Sequence, residues 1–185
     1  MREKVTAARL QEFMKTLAGV VTEPTRIFFV GGASAVLSGL RESTIDIDLK
    51  IIPDSDSILR AIPALKEQLH VNIELAAPDD FIPALPSWED RSRFIQQEKK
   101  LTFLHYDFYA QALAKIERGH RVDLLDVDAM LRNELIEPRR LLELFSAIES
   151  DLYRYPALDA KAFRSAVAKV VQEKGSAGNL RQDKG

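Results

Sequence analysis

Two aspartates separated by one residue are the side chains of this sequence best suited to chemistry. Asp46 and Asp48 alternate with Ile47 and Leu49, the period of two that a β-strand requires. This phase predicts that the apolar residues, including Ile45, are buried and that both carboxylates lie on one open face. Because neighbouring carboxylates repel each other unless a cation neutralises them, and because Mg²⁺ prefers oxygen ligands, the pair predicts a magnesium site. The alternative is two ordinary exposed acids on an edge strand, although aspartate is a poor strand former.

A glycine pair precedes the aspartates. Gly31 and Gly32 follow the apolar run Arg26–Val30, and apolar residues then recur at helical spacing, which predicts a strand, a tight turn and a helix. Backbone N–H groups and the positive end of the helix dipole favour a phosphate at such a turn, and Ser34 could add a hydroxyl. Phosphate bound by one element and metal bound by the next is the combination that phosphoryl or nucleotidyl transfer requires.

A third acid lies in a β-rich run further along the chain. Glu74 stands between Ile73 and Leu75, so we expect it on a strand, and pairing of that strand with Asp46–Ile51 would bring it close to the aspartates. The alternative is an ordinary exposed strand residue. Two further acids, Asp79 and Asp80, fall beyond the end of this strand, in a segment with turn character, and are expected to cap the next segment.

The order of these features resembles the signature of the DNA polymerase beta-like nucleotidyltransferases, especially small prokaryotic members related to AbiEii-type toxins. The matching residues are Val30, Gly31, Gly32, Asp46, Ile47, Asp48 and Leu49. The resemblance implies that Asp46, Asp48 and Glu74 are the catalytic and metal-binding carboxylates. It also implies that two Mg²⁺ ions bind together with a nucleoside triphosphate, and that the nucleotide contacts Gly31, Gly32 and Ser34.

By the same resemblance, the protein transfers a nucleoside monophosphate from a nucleoside triphosphate to a hydroxyl of RNA, of a protein or of a small molecule. Lys115, near the end of a predicted helix, would contact the triphosphate; the alternative is a lysine that complements the helix dipole. Two other functions remain open: a non-catalytic binding or regulatory protein of this fold, and one component of a toxin–antitoxin pair. The expected protein partner is an antitoxin-like chain or a second copy of this one.

The amino-acid composition excludes some kinds of site and argues against some classes of protein. The 185 residues are 46% hydrophobic and 29% charged, an ordinary globular composition, and they contain no cysteine. Disulfides and thiolate metal sites are therefore excluded, and a reducing cytoplasm is the expected location. We expect no signal peptide and no membrane span, because no apolar run approaches the ~20 residues that a span requires. The net charge of −2 gives no support to general nucleic-acid binding.

The pattern of elements predicts an α/β (α+β) fold with a mixed sheet, flanking helices and a helical C-terminal region. We expect a nucleotidyltransferase-like core with an N-terminal helix over residues 1–106, helices over 107–171 and a disordered tail over 172–185. Within the core, Pro63 is expected to divide or kink a helix that starts near Pro53. Residues 93–100 and 101–106 are expected to form a strand pair, and Asp107 to cap a helix that ends near Gly119.

Overall fold

The computed structural model describes the backbone of residues 4–182 and the side chains of residues 4–173. The chain divides into two compact units, which are considered separately. The sheet unit contains residues 1–77 and 89–107, and the helical unit contains residues 78–88 and 108–185. Residues 78–88 thus belong to the helical unit, although the sequence analysis assigned them to the core.

Over residues 4–77 and 89–107, the sheet unit contains seven strands in two sheets. The short strands β1 (Val5–Thr6) and β3 (Ser43–Thr44) pair antiparallel. The other strands form a five-stranded mixed sheet in the order β5-β4-β2-β7-β6. Their bounds are β2 (Thr25–Val30), β4 (Asp46–Ile52), β5 (Asn72–Leu75), β6 (Arg93–Glu98) and β7 (Leu101–His105). The pairs β2–β7 and β4–β5 are parallel, whereas β2–β4 and β6–β7 are antiparallel. The mixed sheet and the predicted final strand pair are both confirmed.

Three helices cover the apolar face of this sheet: α1 (Ala7–Val20), α2 (Gly31–Leu37) and α3 (Asp56–Gln68). Their buried residues share one core with alternate residues of β4, namely Ile47, Leu49 and Ile51. The predicted alternation is therefore confirmed within the strand. The prediction for Ile45 is wrong, since this side chain is 65% exposed. Ile45 lies between β3 and β4, outside the regular pleat that fixes which face a residue takes.

The helix α3 begins after Ser55, whose hydroxyl accepts a hydrogen bond from the Ile58 amide. It continues through Pro63 to Gln68, so this proline does not divide the helix, and the alternative expectation of a kink stays a prediction. A proline costs a helix the N–H donor of its own residue, and here the buried side chains of Ile58 and Leu65 anchor the helix on both sides of it.

The short helix α4 (Trp88–Arg91) lies where the chain passes from one unit to the other. The helical unit then contains α5 (Phe108–Arg118), α6 (Arg121–Arg132), α7 (Pro138–Ile148) and α8 (Ala160–Gln182). Phe145 of α7 and Phe163 of α8 meet edge to face at 4.9 Å in its core. The α+β class and the helical C-terminal region are confirmed.

Helix α8 extends through most of the segment that was expected to be disordered. It continues from Ala160 to Gln182, and residues 183–185 lie outside the described residues. Residues 172–182 contain no proline and no β-branched residue, and seven of the eleven are good helix formers, which favours continuation of the helix despite two glycines. Over the part of the chain that the structure describes, no helix has the length and apolarity needed to cross a membrane.

Candidate active site

The two aspartates of β4 lie on the sheet face opposite the core formed with α1, α2 and α3. Asp46 and Asp48 are half-buried, whereas the residue between them, Ile47, is fully buried. Consecutive residues on one face of a strand are about 7 Å apart along the backbone. The structure therefore places the two carboxylates as neighbours on one face, as the alternation of the sequence predicted.

Glu74 lies on the strand next to the aspartates. In the parallel pairing of β4 with β5, Glu74 is the register partner of Asp48, and Asn72 is the register partner of Asp46. The predicted position of Glu74 beside the aspartates is confirmed, while its role in catalysis stays a prediction. We call Asp46, Asp48, Glu74 and Asn72 together the carboxylate site.

Asn72 is the member of this site that the sequence analysis missed. Its side-chain amide donates to Oδ1 of Asp46 at 2.9 Å and to Oε1 of Glu74 at 2.6 Å. The residue itself is only 6% exposed. Two residues separate Asn72 from Glu74 along a strand, so both side chains must share a face. This two-residue spacing was the available signal for the position of Asn72, but one asparagine does not by itself indicate a metal-binding or catalytic residue.

The glycine turn meets the carboxylate site through strand pairing. Val30, the last residue of β2, is the register partner of Asp48, so the following residue, Gly31, lies beside that carboxylate. A Cβ atom at Gly31 would lie 2.9 Å from Oδ2 of Asp48, and its φ of +57° is the left-handed conformation that favours glycine. Sterics and backbone conformation therefore both call for glycine at this position.

Gly32 is restricted by a neighbouring side chain, and its predicted contact with a phosphate stays a prediction. A Cβ atom there would lie 2.0 Å from Oγ1 of Thr44, in strand β3. The space beside Gly32 is thus occupied by a neighbouring side chain of the same unit. A larger residue at Gly32 would consequently disturb the packing on Thr44, whether or not a phosphate binds at the turn.

Ser34 is fully buried, and its hydroxyl lies 2.9 Å from Nδ1 of His105 on β7. This contact gives the hydroxyl a role within the protein, and its predicted contact with a phosphate stays a prediction. Burial, together with the positive charge of Arg93, lowers the pKa of His105 to about 4. The imidazole is therefore neutral at pH 7, and the pair links the helix that follows the glycine turn to a central strand.

Lys115, the remaining predicted nucleotide ligand, lies in the helical unit and forms a network that we call the ion cluster. Its ammonium is 2.6 Å from Oδ2 of Asp126 and 3.4 Å from Oδ1 of Asp123, and the lysine side chain is 6% exposed. Arg118 donates to both oxygens of Asp123, at 2.7 and 2.5 Å. Burial by itself raises the pKa of Asp123, but the Arg118 hydrogen bonds and the Lys115 charge outweigh it, so that the pKa is lowered. The contact of Lys115 with a triphosphate stays a prediction.

The carboxylate oxygens of the site fit a Mg²⁺ ion that binds together with a substrate phosphate. Among the side chains of residues 4–173 the structure gathers no group of three or more histidine, cysteine, aspartate or glutamate residues that could hold a metal ion by itself. Proteins usually bind Mg²⁺ through one or two carboxylates, with water and substrate phosphates as the other ligands. Asp46 and Asp48 offer two such carboxylates beside the glycine turn. The residues therefore fit an ion that arrives with a phosphate-bearing substrate.

Comparison with known proteins agrees with this chemistry. No curated protein and no solved structure matches the chain. The sequence profile of one family, described as "Nucleotidyltransferase of unknown function (DUF6036)", matches residues 7–173. This match covers the glycine turn, all four residues of the carboxylate site and most of the helical unit. Because it spans far more than half of the sequence, the chain belongs to this family of nucleotidyltransferases.

Proposed function

We propose that the protein is a Mg²⁺-dependent nucleotidyltransferase of the DNA polymerase beta-like type, related to the AbiEii-type enzymes. The observation that carries the proposal is the register of β4 with β5, which sets Glu74 beside Asp48 at the end of the sheet where the glycine turn lies. Carboxylates for a metal, a backbone turn for a phosphate and a third acid thus share one small region of the sheet unit. Nucleotidyl transfer uses all three.

Each group has a distinct role in the proposed reaction. Asp46 and Asp48 hold the metal, which neutralises the triphosphate charge when it is bound. Backbone N–H groups of the turn at Gly31 and Gly32 orient the phosphates. The acceptor hydroxyl oxygen bonds to the α-phosphorus, and the bond from that phosphorus to the bridging oxygen breaks. Pyrophosphate leaves with the electron pair, while Glu74 takes the hydroxyl proton.

The acceptor is a hydroxyl of RNA, of a protein or of a small molecule, and the experiment below is designed to identify its class. A second candidate function, a non-catalytic nucleotide-binding protein, is favoured by one observation: Glu74 is exposed, as an ordinary strand residue would be. An antitoxin-like partner is compatible with either function. Nucleotide binding without transfer would distinguish the second candidate from the first.

The proposal is tested by incubating the protein with Mg²⁺, a cell extract and each of the four nucleoside triphosphates, labelled at the α-phosphate. We expect label to enter RNA, protein or a small molecule from at least one nucleotide. Asp46→Asn should reduce this transfer to background, because the substitution removes a charged metal ligand. The same substitution at Asp54, an exposed residue between β4 and α3, should leave transfer unchanged.

Asp46→Asn should keep the fold, as judged by circular dichroism and thermal unfolding. Full transfer by that variant would contradict the assignment of the carboxylate site. Absence of transfer by the wild-type protein, together with tight Mg²⁺-dependent nucleotide binding, would support the non-catalytic alternative.

A further inference from the structure

Asn72 occupies a position between two carboxylates that a cation would otherwise have to neutralise. Its nitrogen lies 2.9 Å from Asp46 Oδ1 and 2.6 Å from Glu74 Oε1, and the two bonds use both hydrogens of the amide. We propose that Asn72 is a positioning residue, which fixes the orientation of Asp46, a metal ligand, and of Glu74, the proton acceptor. This inference rests on the proposed function, since it assigns the residue that orients these two carboxylates.

Strand geometry leaves Asn72 little freedom to do anything else. The residue begins β5, is the register partner of Asp46 and is 6% exposed, so its backbone and its side chain are both confined. Glu74, by contrast, is an exposed side chain at the end of the sheet. A long exposed carboxylate loses rotamer freedom when it is ordered, and the bond from a buried amide offsets part of that cost.

The hydrogen bond from Asn72 orients the carboxylate of Asp46. Because the amide takes Oδ1, the rotation of the carboxylate is fixed and the direction of Oδ2 is set with it. Groups that hydrogen-bond to metal-binding carboxylates orient them in this way, and their loss typically costs 10-fold to 100-fold in metal affinity. If electrostatic repulsion alone decided the metal affinity, the loss of Asn72 would raise it, because two carboxylates without a donor between them would attract a cation more strongly.

The experiment compares Mn²⁺ binding by the wild-type protein, Asn72→Ala and Asn72→Leu, with free Mn²⁺ measured by electron paramagnetic resonance in the presence of a nucleoside triphosphate. Leucine has the same branched skeleton as asparagine, although it is somewhat larger, and it cannot donate, so it removes both hydrogen bonds without leaving a cavity at this buried position. We expect both variants to need about tenfold more Mn²⁺ for half-saturation. Asn133→Ala, at an exposed helix end, should bind as the wild-type protein does.

A residue with a merely structural role would lower the unfolding temperature without changing the Mn²⁺ affinity of the folded protein. We expect the reverse for Asn72→Leu, and we also expect high Mg²⁺ to restore most of its transfer activity. Equal or tighter Mn²⁺ binding by Asn72→Leu, with normal binding by the wild-type protein, would overturn this inference and leave the proposed function standing. Failure of the wild-type protein itself to bind Mn²⁺ would overturn both.

Discussion

The carboxylate site of the sheet unit and the ion cluster of the helical unit both bring acids together, but they neutralise them differently. In the ion cluster, Asp126 contacts Lys115 at 2.6 Å, and Asp123 contacts both Lys115 and Arg118. In the carboxylate site, Asp46 and Glu74 accept hydrogen bonds from a neutral amide. The acids of the ion cluster have their counter-charges within the protein, whereas Asp46 and Glu74 are held by the dipole of an amide.

This difference suggests opposite purposes for the two groups. Buried acids with fixed cations are costly to disturb, since removal of one partner leaves an uncompensated charge. Half-buried acids held by an amide can still gain free energy from an external cation. We therefore expect substitutions in the carboxylate site to change activity while leaving stability nearly intact, and substitutions in the ion cluster to change stability.

The largest expected effect is on turnover. Glu74→Gln should lower kcat by about 100-fold or more while nucleotide affinity changes little, because a proton acceptor acts mainly in the transition state. Glu74 is exposed, so the free energy of unfolding should change by no more than about 0.5 kcal/mol. Steady-state transfer kinetics and urea unfolding measure the two quantities.

The matched controls are Asp79→Asn and Asp80→Asn, in the 3₁₀ turn Pro78–Asp80 of the helical unit. Both should retain wild-type turnover. Loss of transfer in either variant, together with an active Glu74→Gln protein, would contradict the role of Glu74. The third catalytic acid would then lie outside the sheet.

A large decrease in the free energy of unfolding is expected for substitutions in the ion cluster. Lys115→Met should lower the free energy of unfolding by about 3–5 kcal/mol, because Asp126 then remains buried without its cation. The double variant Lys115→Met/Asp126→Leu should recover much of this loss. Urea unfolding of both variants gives the comparison.

Arg132→Met is the surface control. Arg132 pairs with Asp128 one turn away on α6 at an exposed position, so its loss should cost no more than about 0.5 kcal/mol. A Lys115→Met protein of normal stability that binds nucleoside triphosphate poorly would reverse our interpretation and make Lys115 a nucleotide ligand.

The smallest expected effect is the acid sensitivity of the sheet unit. The folded protein binds a proton at His105 with a pKa of about 4, against 6.5 for the unfolded chain. The unfolded state therefore takes up more protons between these values, and stability falls as the pH drops from 6.5 towards 4. This one group accounts for a loss of at most about 3 kcal/mol, complete only below pH 4, and contributes little above about pH 7.5.

His105→Gln should consequently show a shallower decline of unfolding free energy between pH 6.5 and 4 than the wild-type protein. Parallel curves for the wild-type protein and His105→Gln would show that His105 does not titrate as its burial implies.

Periodicity and turn residues were enough to predict the parts of the molecule that are locally determined. The alternation in β4 identified the face of Asp46 and Asp48, and the apolar neighbours of Glu74 identified its strand. Both inferences depend on a period of two, which strand geometry imposes on any sequence. The final strand pair followed from an equally local pattern, whereas the continuation of α8 to Gln182 did not.

Features that depend on contacts distant in sequence could not be predicted in the same way. Thr44 restricts Gly32, and His105 contacts Ser34, although 71 residues separate that second pair. Asn72 gains its importance only when β5 pairs with β4. The burial of Lys115 follows from the packing of α5 against α6, whereas its sequence context alone was equally typical of a lysine at a helix end.

The central claim, that the carboxylate site carries out nucleotidyl transfer, is tested most directly by the position of the label. Wild-type protein is incubated with Mg²⁺, cell extract and the active nucleotide labelled at either the α- or the γ-phosphate. The account predicts that the α-label enters the acceptor, that the γ-label is recovered in pyrophosphate, and that EDTA abolishes both results. Transfer of the γ-label to the acceptor, or transfer of the α-label that persists in EDTA, would contradict it.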